Sequence, residues 1–253
     1  MVASLLKKIA KKAGFKIIKT DFFEKYYHKL DDPRYRIAGD LEPLEQLFYK
    51  HLLDDFFFIQ IGANNGQRYD PIHHLIVREK DKVKGIAIEP VQEYFDELKI
   101  TYKDFPLIKL IRKAIHNSES EAIIYKLNPE LADMEEKFKG MPSFDKNNLT
   151  KDGVAEQDIV TENVQCISFM NLIESEKITT LHLLQIDAEG YDVEIVKSID
   201  FKKIKPLIIN FEHRWQYNLI SDSDLFTVFK TLIDNGYQIV LNGNDALAYL
   251  QES

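Results

Sequence analysis

The chain has 253 residues, 45% hydrophobic and 11% aromatic, enough to bury a substantial core in one large domain or in one domain with an arm. A net charge of -8 and a pI near 5.5 exclude a general nucleic-acid binder, which needs a basic face. The single cysteine, Cys166, excludes an internal disulfide and a cysteine-rich zinc site, which makes a reducing, cytoplasmic compartment the expectation. No run approaches the roughly eighteen apolar residues of a membrane span, and the N-terminus lacks the uninterrupted apolar core of a signal peptide.

In residues 2–13, Val2, Leu5, Leu6, Ile9 and Ala13 recur at helical spacing between lysines, which predicts a short basic amphipathic helix ending near Gly14. The first 20 residues carry six lysines and no acid, so the remaining 27 basic residues face all 41 acids: the head is basic and the body acidic. Such a helix packs on the body or on a partner subunit of a homo-oligomer, or else touches an anionic membrane surface through residues 2–19. Residues 21–53 predict further helix and turn, with a break at Asp31-Asp32-Pro33 and a helix from about Pro43 to Leu53. Residues 1–53 thus read as a helical arm and 54–253 as the main domain.

The run Phe56-Phe57-Phe58-Ile59-Gln60-Ile61 suits a strand buried on both faces, and it stops at the turn Gly62-Ala63-Asn64-Asn65-Gly66. Glycine lets a backbone approach a bound molecule, and asparagine tolerates the same left-handed geometry. After Tyr69-Asp70-Pro71 and a helix through about Arg78, Gly85 to Ile88 forms a strand that ends on Glu89-Pro90. A helix from about Val91 to Tyr102 follows, then a strand over Leu107 to Ile115 and another over Ala122 to Leu127. The distance from Gly66 to Glu89 is that of a βαβ unit, which brings the acid beside the first turn, within reach of a ribose. Residues 128–158 break the rhythm and predict a lid near the acceptor site.

Ile159 to Phe169 and Leu181 to Ile186 predict further strands, the second ending in Asp187-Ala188-Glu189-Gly190-Tyr191-Asp192. Lys205 to Phe211 ends in Glu212-His213-Arg214, and a helix covers about Asp222 to Asn235. Tyr237 to Leu241 and Ala246 to Leu250 flank Asn242-Gly243, a hairpin signal. The fold class is therefore α/β, a doubly wound and mostly parallel sheet closed by an antiparallel terminal hairpin.

Gly62 to Gly66, Glu89, Asp187 and Glu212 converge on one sheet edge, where open α/β sheets bind ligands. A nicotinamide enzyme would carry G-x-G-x-x-G at the first turn; here the helix-packing third glycine is missing, which disfavours an oxidoreductase. Acids at the edge also fit a sulfonium cofactor, because a carboxylate lowers the energy of a nearby cation. Asp187, Glu189 and Glu212 offer oxygen ligands to Mg²⁺, although acids at a helix start also serve as dipole partners.

Ile59 to Gly66, Ile88-Glu89-Pro90, Gln185 to Asp192 and Phe211-Glu212-His213, in that order, resemble the landmarks of the FkbM family of S-adenosylmethionine-dependent methyltransferases over about residues 50–250. The resemblance implies a class I methyltransferase fold, a seven-stranded sheet whose last strand inserts antiparallel. It implies methylation of hydroxyl groups on sugars, glycans or related small molecules. It places Gly62, Ala63, Asn64 and Gly66 at the methionine end of the cofactor, Glu89-Pro90 at the ribose, Ile115 and His116 near the adenine, and Asp187 toward the methionine or the acceptor. Many methyltransferases carry an acid two residues before the first glycine; this chain has Gln60, an amide that hydrogen-bonds without bringing charge. The hydroxyl must lose a proton, and His213 is the first candidate base with Asp187 the second. Tyr69, Phe144, Trp215 and Tyr217 are the aromatic candidates to stack on a sugar ring, with Ser143 a lesser acceptor contact. A cofactor-binding scaffold without catalysis is the alternative, with Gln60 its only hint.

Overall fold

The structure is a computed structural model that describes residues 42–52, 55–132, 141–151, 153–213, 221–242 and 244–250. The basic helix expected over residues 2–13, Trp215 and Tyr217 lie outside the described residues. Of residues 1–53, the helix α1 (Pro43–His51) is described. No helix among the described residues is long and apolar enough to cross a membrane.

The described residues form ten strands: β1 (Phe56–Ile61), β2 (Val83–Ile88), β3 (Ile108–Ile111), β4 (Ala114–Ile115), β5 (Glu121–Leu127), β6 (Ile159–Ile167), β7 (Leu183–Ile186), β8 (Ile208–Glu212), β9 (Tyr237–Asn242) and β10 (Asp245–Leu250). Seven of them form one sheet in the order β3-β2-β1-β7-β8-β10-β9. β10 pairs antiparallel with both β8 and β9, so the last strand of the chain enters against the direction of the others. This is a Rossmann-like sheet, as its sequence pattern predicts.

Helices cover both faces. Successive side chains of a strand point to opposite sides, and β1 divides accordingly. Phe56 and Phe58 pack with Leu75 and Ile76 of α2 (His73–Arg78), Leu98 of α3 (Gln92–Thr101) and Phe48 of α1. Ile59 and Ile61 join the opposite cluster, which takes in further helices that appear later in the chain: Phe169 and Leu172, Val193 to Val196, and Val228 and Leu232. Phe56, Phe58 and Ile59 are completely buried, each side chain contributing about 1.5–3 kcal/mol by its removal from water.

The stretch expected as one strand over Leu107 to Ile115 is two. β3 belongs to the large sheet, whereas β4, after Arg112-Lys113, pairs parallel with β6 in a second sheet ordered β4-β6-β5. Arg112 marks the divergence by turning to Glu162 of β6 at 3.1 Å. The small sheet also buries a charge. Lys126 lies between Glu162 at 2.9 Å and Glu93 at 3.1 Å, its side chain 9% exposed. Burial opposes ionisation of Glu162, but Lys126, the Gln92 N–H and Arg112 outweigh it and hold its carboxyl below the usual range. Lys126→Ala leaves those carboxylates without their shared cation and should cost about 1.5–3 kcal/mol in denaturant unfolding. The Glu162 share of that stability is present above its unfolded pKa and fades as pH falls through the depressed folded value, so the loss should shrink in acid.

The described part of the 128–158 segment is ordered into α4 (Pro129–Ala132), α5 (Lys146–Lys151) and a 3-10 turn (Glu156–Asp158). Ser143 exchanges backbone hydrogen bonds of 2.9 Å with Tyr125 of β5, which ties the segment to the small sheet.

Candidate active site

The carboxyl ends of the parallel strands surround a cavity of about 370 Å³. Its first wall is the turn after β1. The Gly62 and Ala63 N–H groups both donate to Ile88 O, at 3.0 and 2.9 Å, which folds the turn across the end of β2. Asn64 adopts φ 48°, the left-handed conformation that asparagine tolerates, and its N–H donates to Glu89 Oε2 at 2.8 Å. Glu89 Oε1 accepts from Val91 N at 2.9 Å. The glycine turn and the acid after β2 are therefore in direct contact. Glu89 is 2% exposed, and burial, opposed by those two N–H groups, pushes its carboxyl up to about 7.

A row of amides crosses the sheet, and two of them, Gln60 and Gln185, line the cavity. Gln60 of β1, Gln185 of β7 and Asn210 of β8 are opposite one another in the parallel register, and all three are buried. Asn210 Nδ2 donates to Gln185 Oε1 at 2.9 Å, and Gln185 Nε2 turns to Ile186 O at 3.4 Å. Gln60 lines the cavity, and its buried Oε1 has no hydrogen-bond partner. A buried carbonyl left unpaired costs about 1–3 kcal/mol.

Carboxylates gather at the other side. Asp187 follows β7, Glu189 lies in the next turn, Glu212 ends β8, and Asp245 opens β10 directly opposite Glu212; all four line the cavity. One oxygen from each of Asp187, Glu189 and Glu212 lies within 4.8 Å of the others, an oxygen set that suits a hard cation. Burial and the facing Glu212 push Asp245 up to about 6. Like charges directly opposite in an antiparallel pair repel, which is the physical origin of the second contribution. Arg68 and Lys113 also reach the wall, so the lining holds six acids against two bases.

The remaining wall is apolar. Ile115 of β4 and Ile124 of β5 face the cavity together with Met141, Pro142 and Phe144 from the 128–158 segment. Ser143 Oγ donates to Glu189 O at 2.8 Å and Asn148 Nδ2 to the same carbonyl at 3.2 Å, which fastens this part of the 128–158 segment to the acidic turn. Phe144 packs edge-on against His116 and Tyr191, whose rings stack on each other at 4.9 Å.

Gln60, Gly62, Ala63, Asn64, Glu89, Pro90, Ile115 and Asp187 all line the cavity. Gly66 does not; it closes the turn through its N–H to Ala63 O at 2.8 Å. His116 stands behind the wall in the aromatic cluster, with Nδ1 accepting from Glu119 N at 3.1 Å. His213 is buried and its N–H donates to Asn244 O at 2.8 Å, but it is not on the cavity wall. Tyr69 is, 75% exposed and with φ 55°, whereas Ser143 serves the fastening. Sequence reasoning missed Gln185, Ile124 and Asp245 on the wall.

A sequence model described as the Methyltransferase FkbM domain matches residues 60–239, from Gln60 of β1 into the edge strand β9. The chain belongs to the FkbM methyltransferase family. Among solved structures, this family member is similar to methyltransferase FkbM from Methylobacillus flagellatus KT, with 16% identity and a TM-score of 0.48 over 89% of this chain and 50% of that one. It thus spans half the length of that relative. It is also similar to the METTL16 MTase domain, with 14% identity and a TM-score of 0.41 over 84% of this chain and 71% of that one. The citrinin polyketide synthase CMeT domain gives 11% identity and 0.42 over 83% and 51%. No curated protein matches the sequence.

Proposed function

We propose that this FkbM family member transfers a methyl group from S-adenosylmethionine to a hydroxyl of a sugar, glycan or related small molecule. The observation that carries the reading is the hydrogen bond from Asn64 N to Glu89 Oε2, which joins the glycine turn and the acid in one wall. Each Glu89 oxygen accepts one backbone N–H and keeps a second lone pair, so the side chain has capacity for both hydroxyls of a ribose. Gln60 and Gln185 add buried amides to the wall, and Ile115, Ile124 and Phe144 an apolar slot suited to a base. Bound there, S-adenosylmethionine would supply the methyl group on a positively charged sulfur, a charge that the acidic lining favours.

The chain's own residues then hold the acceptor and take its proton. Asp187 is the base we assign, because it lines the cavity at the end of β7 and His213 does not. General-base catalysis contributes about 10²–10⁴-fold, so Asp187→Asn should lower turnover by roughly that factor, whereas His213→Ala that folds should keep most of it. Calorimetry with S-adenosylmethionine and with NAD, followed by transfer of labelled methyl to neutral sugars and glycosides, tests the whole. Binding of NAD alone would overturn the reading, and binding of S-adenosylmethionine without transfer to any hydroxyl acceptor would favour a scaffold.

A further inference from the structure

We infer that Asp192, which is off the cavity wall, is the positioning residue that sets the geometry of the acceptor-side carboxylates. Asp192 opens α6 (Asp192–Lys197) and is completely buried. Its Oδ2 accepts from Ala188 N at 3.2 Å and Gly190 N at 3.3 Å, on either side of Glu189. Its Oδ1 accepts from Glu212 N at 3.2 Å, at the end of the neighbouring strand. One carboxylate therefore fixes the backbone beneath Glu189 and Glu212 at once, and through Ala188 the peptide that follows Asp187.

The turn needs this restraint. Glu189 has φ 48°, a left-handed conformation that a residue with a Cβ adopts at a cost and keeps only when its surroundings hold it there. Asp192 grips the flanking N–H groups while Ser143 Oγ and Asn148 Nδ2 hold the Glu189 carbonyl. β7 and β8 are parallel neighbours whose pairing runs through Ile186 and Phe211, leaving the acids just beyond or at the end of that ladder. Asp192 continues the connection where the ladder stops. Asparagine has the same shape but one accepting oxygen, so its NH₂ would confront either the Glu212 N–H or the Ala188 and Gly190 pair.

The functional part rests on the methyltransferase reading above, and its test is arranged so that the two fail separately. In Asp192→Asn, methyl transfer to the best neutral glycoside acceptor of the wild-type enzyme should fall about 100-fold in kcat, the scale on which a displacement of about 1 Å acts. S-adenosylmethionine affinity by calorimetry should stay within about threefold, a split that general unfolding would not give. Hydrogen exchange needs no acceptor: the Ala188, Gly190 and Glu212 amides should lose protection selectively, while core β1 amides such as Phe58 keep it. Wild-type exchange at those three amides, or wild-type kcat, overturns the role of Asp192. Failure of the wild-type protein to bind S-adenosylmethionine overturns the methyltransferase reading instead and leaves the exchange result to decide the positioning claim.

Discussion

On the proposed function, Glu89→Gln is expected to weaken S-adenosylmethionine binding by about 2–3 kcal/mol, or roughly 30- to 150-fold, because the charge-assisted hydrogen bonds proposed to the ribose would be replaced by neutral ones. The variant also sets an amide N–H₂ against either Asn64 N or Val91 N, so one of the two turn contacts is lost. The pH dependence makes the prediction specific. Burial raises the Glu89 carboxyl to about 7 from an ordinary value of 4.5, so between those limits the unliganded folded protein holds a proton that the unfolded chain releases. The Glu89 contribution to unliganded stability therefore falls as pH rises from about 4.5 to 7. Ligand hydroxyls favour the ionised carboxylate, so affinity should rise over the upper part of that window and level off above it. Opposite slopes in the two measurements are the signature. Calorimetry and thermal melts at pH 6 and 8 check it, with Glu89→Gln expected to lack the Glu89-linked part of both; equal wild-type affinity at the two pH values would remove Glu89 from the ribose site.

Much of this wall was legible in the sequence. A buried run ending at Gly62 and a strand ending at Glu89 are local patterns, and a βαβ unit leaves little freedom in where its two strand ends meet. The amide row was written there as well, in a form visible only by comparison between strands. Phe58-Ile59-Gln60-Ile61, Leu183-Leu184-Gln185-Ile186 and Ile208-Ile209-Asn210-Phe211 each place an amide one residue before the last apolar position, a repetition that puts three amides in line once the strands are in parallel register. Gln60 alone looked like a departure; with Gln185 and Asn210 it is one end of a row.

Other parts depend on register and on tertiary pairing, which local patterns do not carry. Asp245 meets Glu212 only because β10 inserts between β8 and β9, and Asp192 is one helix-start acid among several until its three N–H partners are known. The single strand expected over Leu107 to Ile115 fails for the same reason: nothing in the apolar pattern says that β4 leaves the main sheet for β6. His213 was singled out because it follows a strand at the ligand edge, yet the pleat sends alternate residues to opposite faces. It lies off the wall that Glu212 lines.

Gly62→Ala should be the most damaging single substitution in the turn. A Cβ at this position would lie 1.7 Å from Asp187 O and 2.8 Å from Asp187 C, so the obstacle is the backbone of the neighbouring strand end rather than a mobile side chain. The conformation adds to it: at φ 76° an L-residue costs about 1–2 kcal/mol before any clash is counted. Relief requires the turn to move away from β7, yet Asp187 N is bonded to Ile61 O at 2.9 Å and the Gly62 and Ala63 N–H groups are bonded to Ile88 O. Separation at this point breaks contacts to β7 and β2 together and carries Asp187 away from the cavity. Gly66→Ala provides the comparison, since it has nearly the same φ but its Cβ would meet side-chain atoms of Leu98, Tyr102 and Thr101, at 2.8, 2.9 and 3.2 Å, rather than backbone. Gly62→Ala is expected to lose more than about 3 kcal/mol in denaturant unfolding and Gly66→Ala about 1–3 kcal/mol. If the two variants unfold at the same denaturant midpoint, the close approach of Gly62 to Asp187 is not what requires glycine there. If Gly62→Ala also binds S-adenosylmethionine as the wild type does, the turn is not the wall of the cofactor site.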